Sequence, residues 1–188
     1  MKKDRYIIPY WVNSYKLIIC IDENIGFSNK KGNLFMRRAN KEIKGKEKIM
    51  FILNHASICR IAFNDLPYPY IVPVHFVCEK SHFYFHSACE GRKIDLIKKD
   101  GKICFETDQQ VEIIPNENAC NFETKYESVI GTGISMMVND EIEKKRAMLR
   151  LMEKYTGKDK WEIPPEALKK TTVIKVNILD VTGKSSGY

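Results

Sequence analysis

The chain has 188 residues, 44% of them apolar and 11% aromatic, enough to bury the core of one domain. Its six cysteines (Cys20, Cys59, Cys78, Cys89, Cys104 and Cys120) lie far apart with no CxxC pair. That spacing argues against a zinc site and a small disulfide scaffold, and fits the reduced thiols of a cytosolic protein. The net charge of +7 resides in residues 1–48, which hold twelve Lys and Arg against five Asp and Glu; the rest is balanced. A nucleic-acid module would spread basic residues over a folded face with aromatics among them, so a solvated basic leader is the plainer reading than a polyanion-binding arm.

In chain order, MKKDRYIIPYWVNSYKLIICI is basic and then apolar, but Pro9, Asn13, Ser14 and Lys16 interrupt it. Its longest clean run, residues 17–21, falls far short of the ~20 residues of a membrane span, and no secretory signal pattern is present. Residues 1–35 show no clear period and end in the turn-rich SNKKGN; they are expected to be an extension. The folded domain is expected over 36–188, with Met36 as its start or an alternative translation start. From Met36, Ile43, Ile49, Ile52 and Leu53 recur at helical spacing, which predicts an amphipathic helix weakened at Gly45.

Short apolar runs follow at 58–63, 69–78 and 82–87, the spacing of an antiparallel meander. A helix is expected from Gly91 to about Lys99, then longer strands at 102–114 and 126–138. Gly131 and Gly133 in the second of these mark a bulge or a close approach of backbone or ligand. NDEIEKKRAMLRLMEKYTG predicts the clearest helix: Asn139 or Asp140 caps it, Met148, Leu151, Met152 and Tyr155 form one stripe, and Gly157 stops it. After a short helical turn at Pro164 and Pro165, 171–183 reads as a final strand. Strands in series with few helices between them make the class mainly β, a barrel with peripheral helices.

The chemistry concentrates at Ser87, Arg92 and Lys93. Two cations at a helix start are locally unfavourable, because unpaired N–H groups already make that end positive. A phosphate bound by the cations, the Ser87 hydroxyl and free backbone N–H groups would resolve the conflict. The alternative is that Glu90 and Asp95 pair with the cations on a solvated helix end. His82, Tyr84 and His86 would share one strand face, but no carboxylate or thiolate at suitable spacing accompanies them, so no metal is expected. Cys59 and Cys104 fall inside strand patterns as packing residues, whereas Cys120 falls in a loop where it would be reactive.

The run YPYIVPVHFVCEKSHFYFHSACEGRKIDLIKKDGKICFE resembles the FMN-binding split-barrel flavoproteins of the pyridoxamine 5'-phosphate oxidase-like group, and within it the nitroimidazole-resistance proteins. MRRANKEI, CNFETKYESVIGTG and TTVIKVNILDVTGKSSG extend the likeness over roughly residues 36–187. The resemblance implies a six-stranded split β-barrel that forms a homodimer with FMN at the subunit interface. It implies that Arg92 and Lys93 hold the FMN phosphate with Ser87 beside them. The strand Val72, Pro73, Val74, His75 and Phe76 would lie along the isoalloxazine ring and offer it backbone groups. His86 matches a histidine at the flavin or substrate site, and Cys120, Asn121, Tyr126 and Ser128 would come near the pocket, with the partner chain as one source. The implied activity is an FMN-dependent oxidoreductase of the nitroimidazole-reductase type acting on a small electron-poor substrate. A non-catalytic flavin- or haem-binding protein on the same barrel is the alternative. A pyridoxamine 5'-phosphate oxidase-like enzyme is expected to be the less favoured alternative, because the given sequence closes on TGKSSGY without the further basic residues for a substrate phosphate.

Overall fold

The structure, a computed structural model, describes residues 38–188 together with the backbone of two short strands, β1 (Tyr10–Val12) and β2 (Tyr15–Leu17), which pair as an antiparallel hairpin. The readings of residues 1–35 as an extension, of the basic leader and of Met36 as a start otherwise lie outside the described residues. A 3-10 turn at Ala39–Lys41 leads into β3 (Glu42–Ile43), followed by α1 (Lys46–His55), β4 (Cys59–Phe63), β5 (Tyr70–Val74), β6 (Phe76–Glu79) and β7 (His82–Ser87). Then come α2 (Arg92–Lys99), β8 (Lys102–Ile114), a 3-10 turn at Ala119–Asn121, β9 (Glu123–Met137), α3 (Glu141–Thr156), α4 (Pro165–Lys169) and β10 (Thr172–Ser186).

The main sheet is antiparallel, in the order β5-β4-β8-β9-β10-β7-β6, with β3 added against β10. Its two end strands, β5 and β6, are consecutive in the chain and are separated by His75 alone. Hydrogen bonding therefore does not close the barrel; at this seam the two ends of the sheet are joined through the backbone of His75. With β5 and β6 counted as one bent run and the two-residue β3 set aside, six strands remain, which is the split barrel expected.

Alternation along the strands sorts core from surface. In β4, Cys59, Ile61 and Phe63 are buried while Arg60 is exposed. Phe76, Phe83, Phe85 and Phe105 meet inside, with Phe83 edge-on to Phe76 at 5.8 Å and to Phe105 at 5.1 Å. Burying each such ring contributes about 1.5–3 kcal/mol. Ile49, Met50, Ile52 and Leu53 of α1 close one mouth of this core. On the outward face of β6, β7 and β10, α3 sets Ala147, Leu151 and Met148 against Val77, Tyr84 and Val173.

Three local expectations need correction. The helix foreseen from Met36 begins only at Lys46: Gly45 is extended at its N-cap, and Ile43 is engaged by Gly183 of β10. Cys104 faces outward and is exposed, because Ile103 and Phe105 on either side take the inward positions. The buried stripe of α3 runs through Lys144, Ala147 and Leu151, leaving Tyr155 at the margin for another task. The remaining cues hold. The Asp140 carboxylate caps α3 by accepting from the Glu143 N–H at 2.6 Å, and Gly157 ends it in the left-handed conformation. At Gly131 a Cβ would lie 2.4 Å from the Phe105 ring and 2.7 Å from the Asp180 carbonyl, so the glycine marks a close approach of strand and ring. Among the described residues no helix is long and apolar enough to cross a membrane.

Candidate functional site at the seam and the head of α2

The β6–β7 register ends at Phe76↔Phe85, with His75 and His86 as the residues just beyond it. Both rings are on the outward side and exposed. Along the run at the seam, Val74 and Phe76 are buried and Val72 is half-buried, whereas Pro73 and His75 face outward. The inward set is therefore barrel core. Among the described residues β5 pairs with β4 alone, so alternate backbone groups on its other edge have no strand partner there, Pro73 having no N–H to offer. The Phe76 N–H is already committed: it donates to the Tyr155 hydroxyl at 2.9 Å.

Tyr155, at the end of α3, ties three segments together. Its hydroxyl donates to the Ser57 carbonyl at 2.8 Å, and its ring lies 4.5 Å from that of His75. Helical spacing assigns it only a packing role, since nothing local signals that the end of α3 reaches the seam.

After β7 the chain turns at Gly91, whose φ of +112° is open to glycine and strained for other residues, and enters α2. The first helical bond is Asp95 N–H to the Gly91 carbonyl, and no side chain caps the N–H groups of Arg92, Lys93 and Ile94. The two cations differ. Arg92 donates through Nε to one oxygen of Asp65 at 2.7 Å, its Nη2 lies 2.7 Å from the same oxygen as an ion pair, and its guanidinium lies 4.7 Å from the Tyr70 ring centroid. Arg92 in turn holds the Asp65 carboxyl below its usual range, with the Leu66 N–H helping. The pairing with Glu90 and Asp95 considered from spacing does not occur for Arg92; its carboxylate comes from the β4–β5 loop. Lys93 is half-buried, 5.6 Å from the centroid of Phe85, and among the described residues no carboxylate pairs with it. Burial lowers its pKa.

His86 feels the same surroundings. Its pKa is lowered by burial first, then by the positive charges of His75 and Lys93. Ser87 ends β7 opposite Thr172, half-buried, and its hydroxyl has no hydrogen-bond partner among the described residues. The fold thus brings His75, His86, Ser87, Arg92 and Lys93 to one end of the barrel, with Asp65, Tyr70 and Tyr155 as neighbours that sequence spacing did not disclose. Asp65 lies in the turn-rich NDLPYPY, where its likeness to an ordinary turn residue hid it.

Cys120, Asn121, Tyr126 and Ser128 are not brought there within one chain. Cys120 and Asn121 are exposed in the turn between β8 and β9, and Tyr126 and Ser128 pair with Ser186 and Lys184. The end of β9 nearest His86 is marked by Val138, whose N–H donates to the Val173 carbonyl, and Val173 pairs with His86. Ten residues separate Ser128 from Val138, roughly 30 Å along an extended strand.

An anion with a phosphate-like charge fits these residues: an unpaired half-buried ammonium, a free hydroxyl and an uncapped helix start converge. Arg92 can join without leaving Asp65, because the guanidinium carries further N–H donors beside the Nε–H engaged there.

Comparison with known proteins gives independent findings. The family model described as pyridoxamine 5'-phosphate oxidase matches residues 45–185. A solved structure provisionally described as a 5-nitroimidazole antibiotic resistance protein, from Bacteroides thetaiotaomicron VPI-5482, is 29% identical, with a TM-score of 0.69 over 77% of this chain and 86% of that one. A flavocytochrome from Azotobacter vinelandii superposes with a TM-score of 0.72 at 17% identity, covering 81% of this chain and 72% of that one. A FAD- and haem-binding protein from Mycobacterium smegmatis does so with a TM-score of 0.70 at 12% identity, covering 79% and 74%. The last two likenesses speak to the fold alone. Among curated proteins, none matches the chain.

Proposed function

Because the chain belongs to the pyridoxamine 5'-phosphate oxidase family, we propose that it is a flavoprotein that binds FMN by its phosphate at the head of α2 and acts as an oxidoreductase of the nitroimidazole-reductase type. The observation that carries the reading is Lys93, a half-buried cation at an uncapped helix start with no carboxylate partner among the described residues. A bound phosphate supplies the missing negative charge, with Arg92 and Ser87 beside Lys93.

Flavin, when bound, supplies the electron or hydride transfer. The chain's residues bind, orient and handle protons. The open edge of β5 from Val72 to Val74 offers backbone groups to a flat ring, and His75 and His86 face the same side of the sheet. The lowered pKa of His86 keeps it toward its neutral form, so it can accept and return a proton near neutral pH. His86→Ala that retained full turnover with flavin bound would exclude that role.

Two features support a homodimer. Ile71, Cys104, Ile130 and Leu179 are exposed on the outward face of the sheet, an apolar surface that a second copy would cover. Cys120, Asn121, Tyr126 and Ser128, remote from His86 in one chain, would reach a pocket only from the partner. A cytoplasmic location belongs to the same reading.

The test is the visible absorption spectrum of the purified protein, before and after addition of FMN or of FAD, compared with the Arg92→Ala/Lys93→Ala variant. Flavin bands in the wild type, weakened at least tenfold in occupancy in the variant, are expected. A colourless protein that ignores both flavins would overturn the reading, and a haem band would retain the barrel while moving the function elsewhere. A preference for FAD would keep the flavin and replace FMN.

A further inference from the structure

Deepening the flavin reading, on which the identity of its ligand rests, we propose that Asp65 is a positioning residue of the anion site. From the β4–β5 loop it holds the Arg92 guanidinium by one edge, so that the Nη1 side is offered to the flavin phosphate as a fixed donor.

The guanidinium is held at edge and face. Its Nε donates to Asp65 Oδ2 at 2.7 Å and its Nη2 lies 2.7 Å from the same oxygen, so the side edge of the fork is engaged. The other carboxylate oxygen accepts from the Leu66 N–H at 2.9 Å, which fixes the carboxylate on its own loop. The face lies 4.7 Å from the Tyr70 ring centroid. Tyr70 opens β5 opposite Phe63, a core residue whose ring centroid is 6.2 Å from its own. Both holds therefore come from the barrel and its loop, 27 and 22 residues before Arg92, and neither comes from α2. Nη1 has no partner among the described residues.

An ion pair this exposed contributes little to stability. Its effect on binding is larger in proportion. A free arginine side chain samples many rotamers, and an anion that has to order it loses affinity, whereas a guanidinium already fixed meets the anion without that loss. Removing the Asp65 charge has two effects of opposite sign: phosphate is repelled less, and Arg92 comes loose. The first acts between exposed groups and fades in salt; the second is geometric and does not. At about 0.15 M salt the loss of positioning is expected to win.

The experiment compares the binding of FMN with that of riboflavin, which lacks the phosphate, to the full-length protein and to Asp65→Asn at that salt. Asp65→Asn is isosteric and keeps an acceptor for the Leu66 N–H. It should weaken FMN about three- to tenfold and leave riboflavin unchanged. In an Arg92→Ala background the same substitution should no longer weaken FMN. Tighter FMN binding in Asp65→Asn would overturn the proposal and make Asp65 a merely repelling charge. An equal loss for riboflavin, or a loss that persists beside Arg92→Ala, would overturn it in favour of a loop that only shapes the pocket. A second readout needs no flavin: NMR of the arginine side-chain N–H groups. In the wild type the Arg92 Nε–H should give a peak apart from those of freely exposed arginines, inorganic phosphate should shift it, and Asp65→Asn should return it among them. An Arg92 peak that already lies among them in the wild type would overturn the proposal whatever flavin does. A protein that takes up neither flavin yet keeps the phosphate-sensitive, Asp65-dependent peak would sink the flavin reading and leave the positioning of Arg92 standing. Should Asp65→Asn fail to fold, the wild-type peak and its response to phosphate decide.

Discussion

At one end of the outward face of β6 and β7, Glu79 accepts from Arg146 at 2.5 Å and lies 3.6 Å from Arg150 and 3.7 Å from His82. At the other end, His75, His86 and Lys93 meet no carboxylate among the described residues. Both regions centre on histidines of the same two strands, and Val77 and Tyr84 under α3 separate them. In the first, polar groups close on one another. Buried Tyr84 donates to Glu143 at 2.6 Å and receives from Arg146 at 3.0 Å, while Lys175 completes the charge on Glu143 at 3.0 Å. In the second, the chain leaves cations open, and α3 contributes the Tyr155 ring beside His75. A closed cluster docks a helix; an open one awaits a ligand. The difference is in charge balance, since residue types alone look alike in the two places.

The largest effect is expected from opening the closed cluster. Glu79→Gln leaves Arg146, Arg150 and His82 facing a neutral amide and should destabilise the fold by about 2 kcal/mol in urea denaturation, with flavin uptake unchanged. Its pH signature has a definite sign. The His82 ring at 3.7 Å, with Arg146 and Arg150, holds the Glu79 carboxyl down to about 2. A depressed carboxylate contributes stability that is full above its unfolded value of about 4.3 and is lost as pH falls toward 2. Stability measured from pH 5 to pH 2 should therefore fall less steeply in Glu79→Gln than in wild type. Equal slopes would mean that the cluster is not closed through Glu79.

Lys154 tests the border between the two regions. Its Nζ lies 3.7 Å from the centroid of the buried Phe76 ring and donates to the Leu53 carbonyl at 3.4 Å, near the negative end of α1. These contacts replace a carboxylate only in part, and burial lowers its pKa to about 8. For a base with a depressed folded value, the unfolded chain binds more protons between about 8 and 10.4, so stability rises with pH across that window. The rise should be on the order of 2 kcal/mol in wild type and absent in Lys154→Met. A flat wild-type profile would show that Lys154 is solvated and no part of the border.

Much of this was legible in residue order, and the reasons for the remainder are physical. Alternation in HFYFHS and KICFETDQQVEII located β7 and β8, because one face of each strand must be buried along its barrel length. Asp140 and Gly157 bounded α3 by local chemistry that needs no partner. The conflict between Arg92, Lys93 and the helix start pointed to the same end of the barrel that the fold assembles. Register across a seam has no local signature. The nearness of His75 to His86 depends on the bend between β5 and β6, and the reach of Asp65 to Arg92 on the β4–β5 loop, 27 residues earlier. Cys104 was misplaced because a small apolar residue in a strand reads alike on either face, and only the inward demand of Ile103 and Phe105 turns it out.

The smallest effect is the one that separates the regions most sharply, because its sign is opposite. Lys93 is a cation whose pKa is lowered by burial, so the native state holds its proton less well than the unfolded chain does. Replacing it by Met keeps the apolar stem over Phe85 and removes the unpaired charge. Lys93→Met should therefore raise the urea midpoint slightly, by a few tenths of a kcal/mol, since a half-exposed ammonium is well screened. The same variant should lose flavin or phosphate affinity, the joint outcome expected where a residue is retained for binding at a cost in stability. Glu79→Gln should show the reverse, lower stability with binding intact. Destabilisation by Lys93→Met as large as that of Glu79→Gln would mean that Lys93 holds α2 on the barrel through Phe85, and the head of α2 would then be structural in the way the Glu79 cluster is.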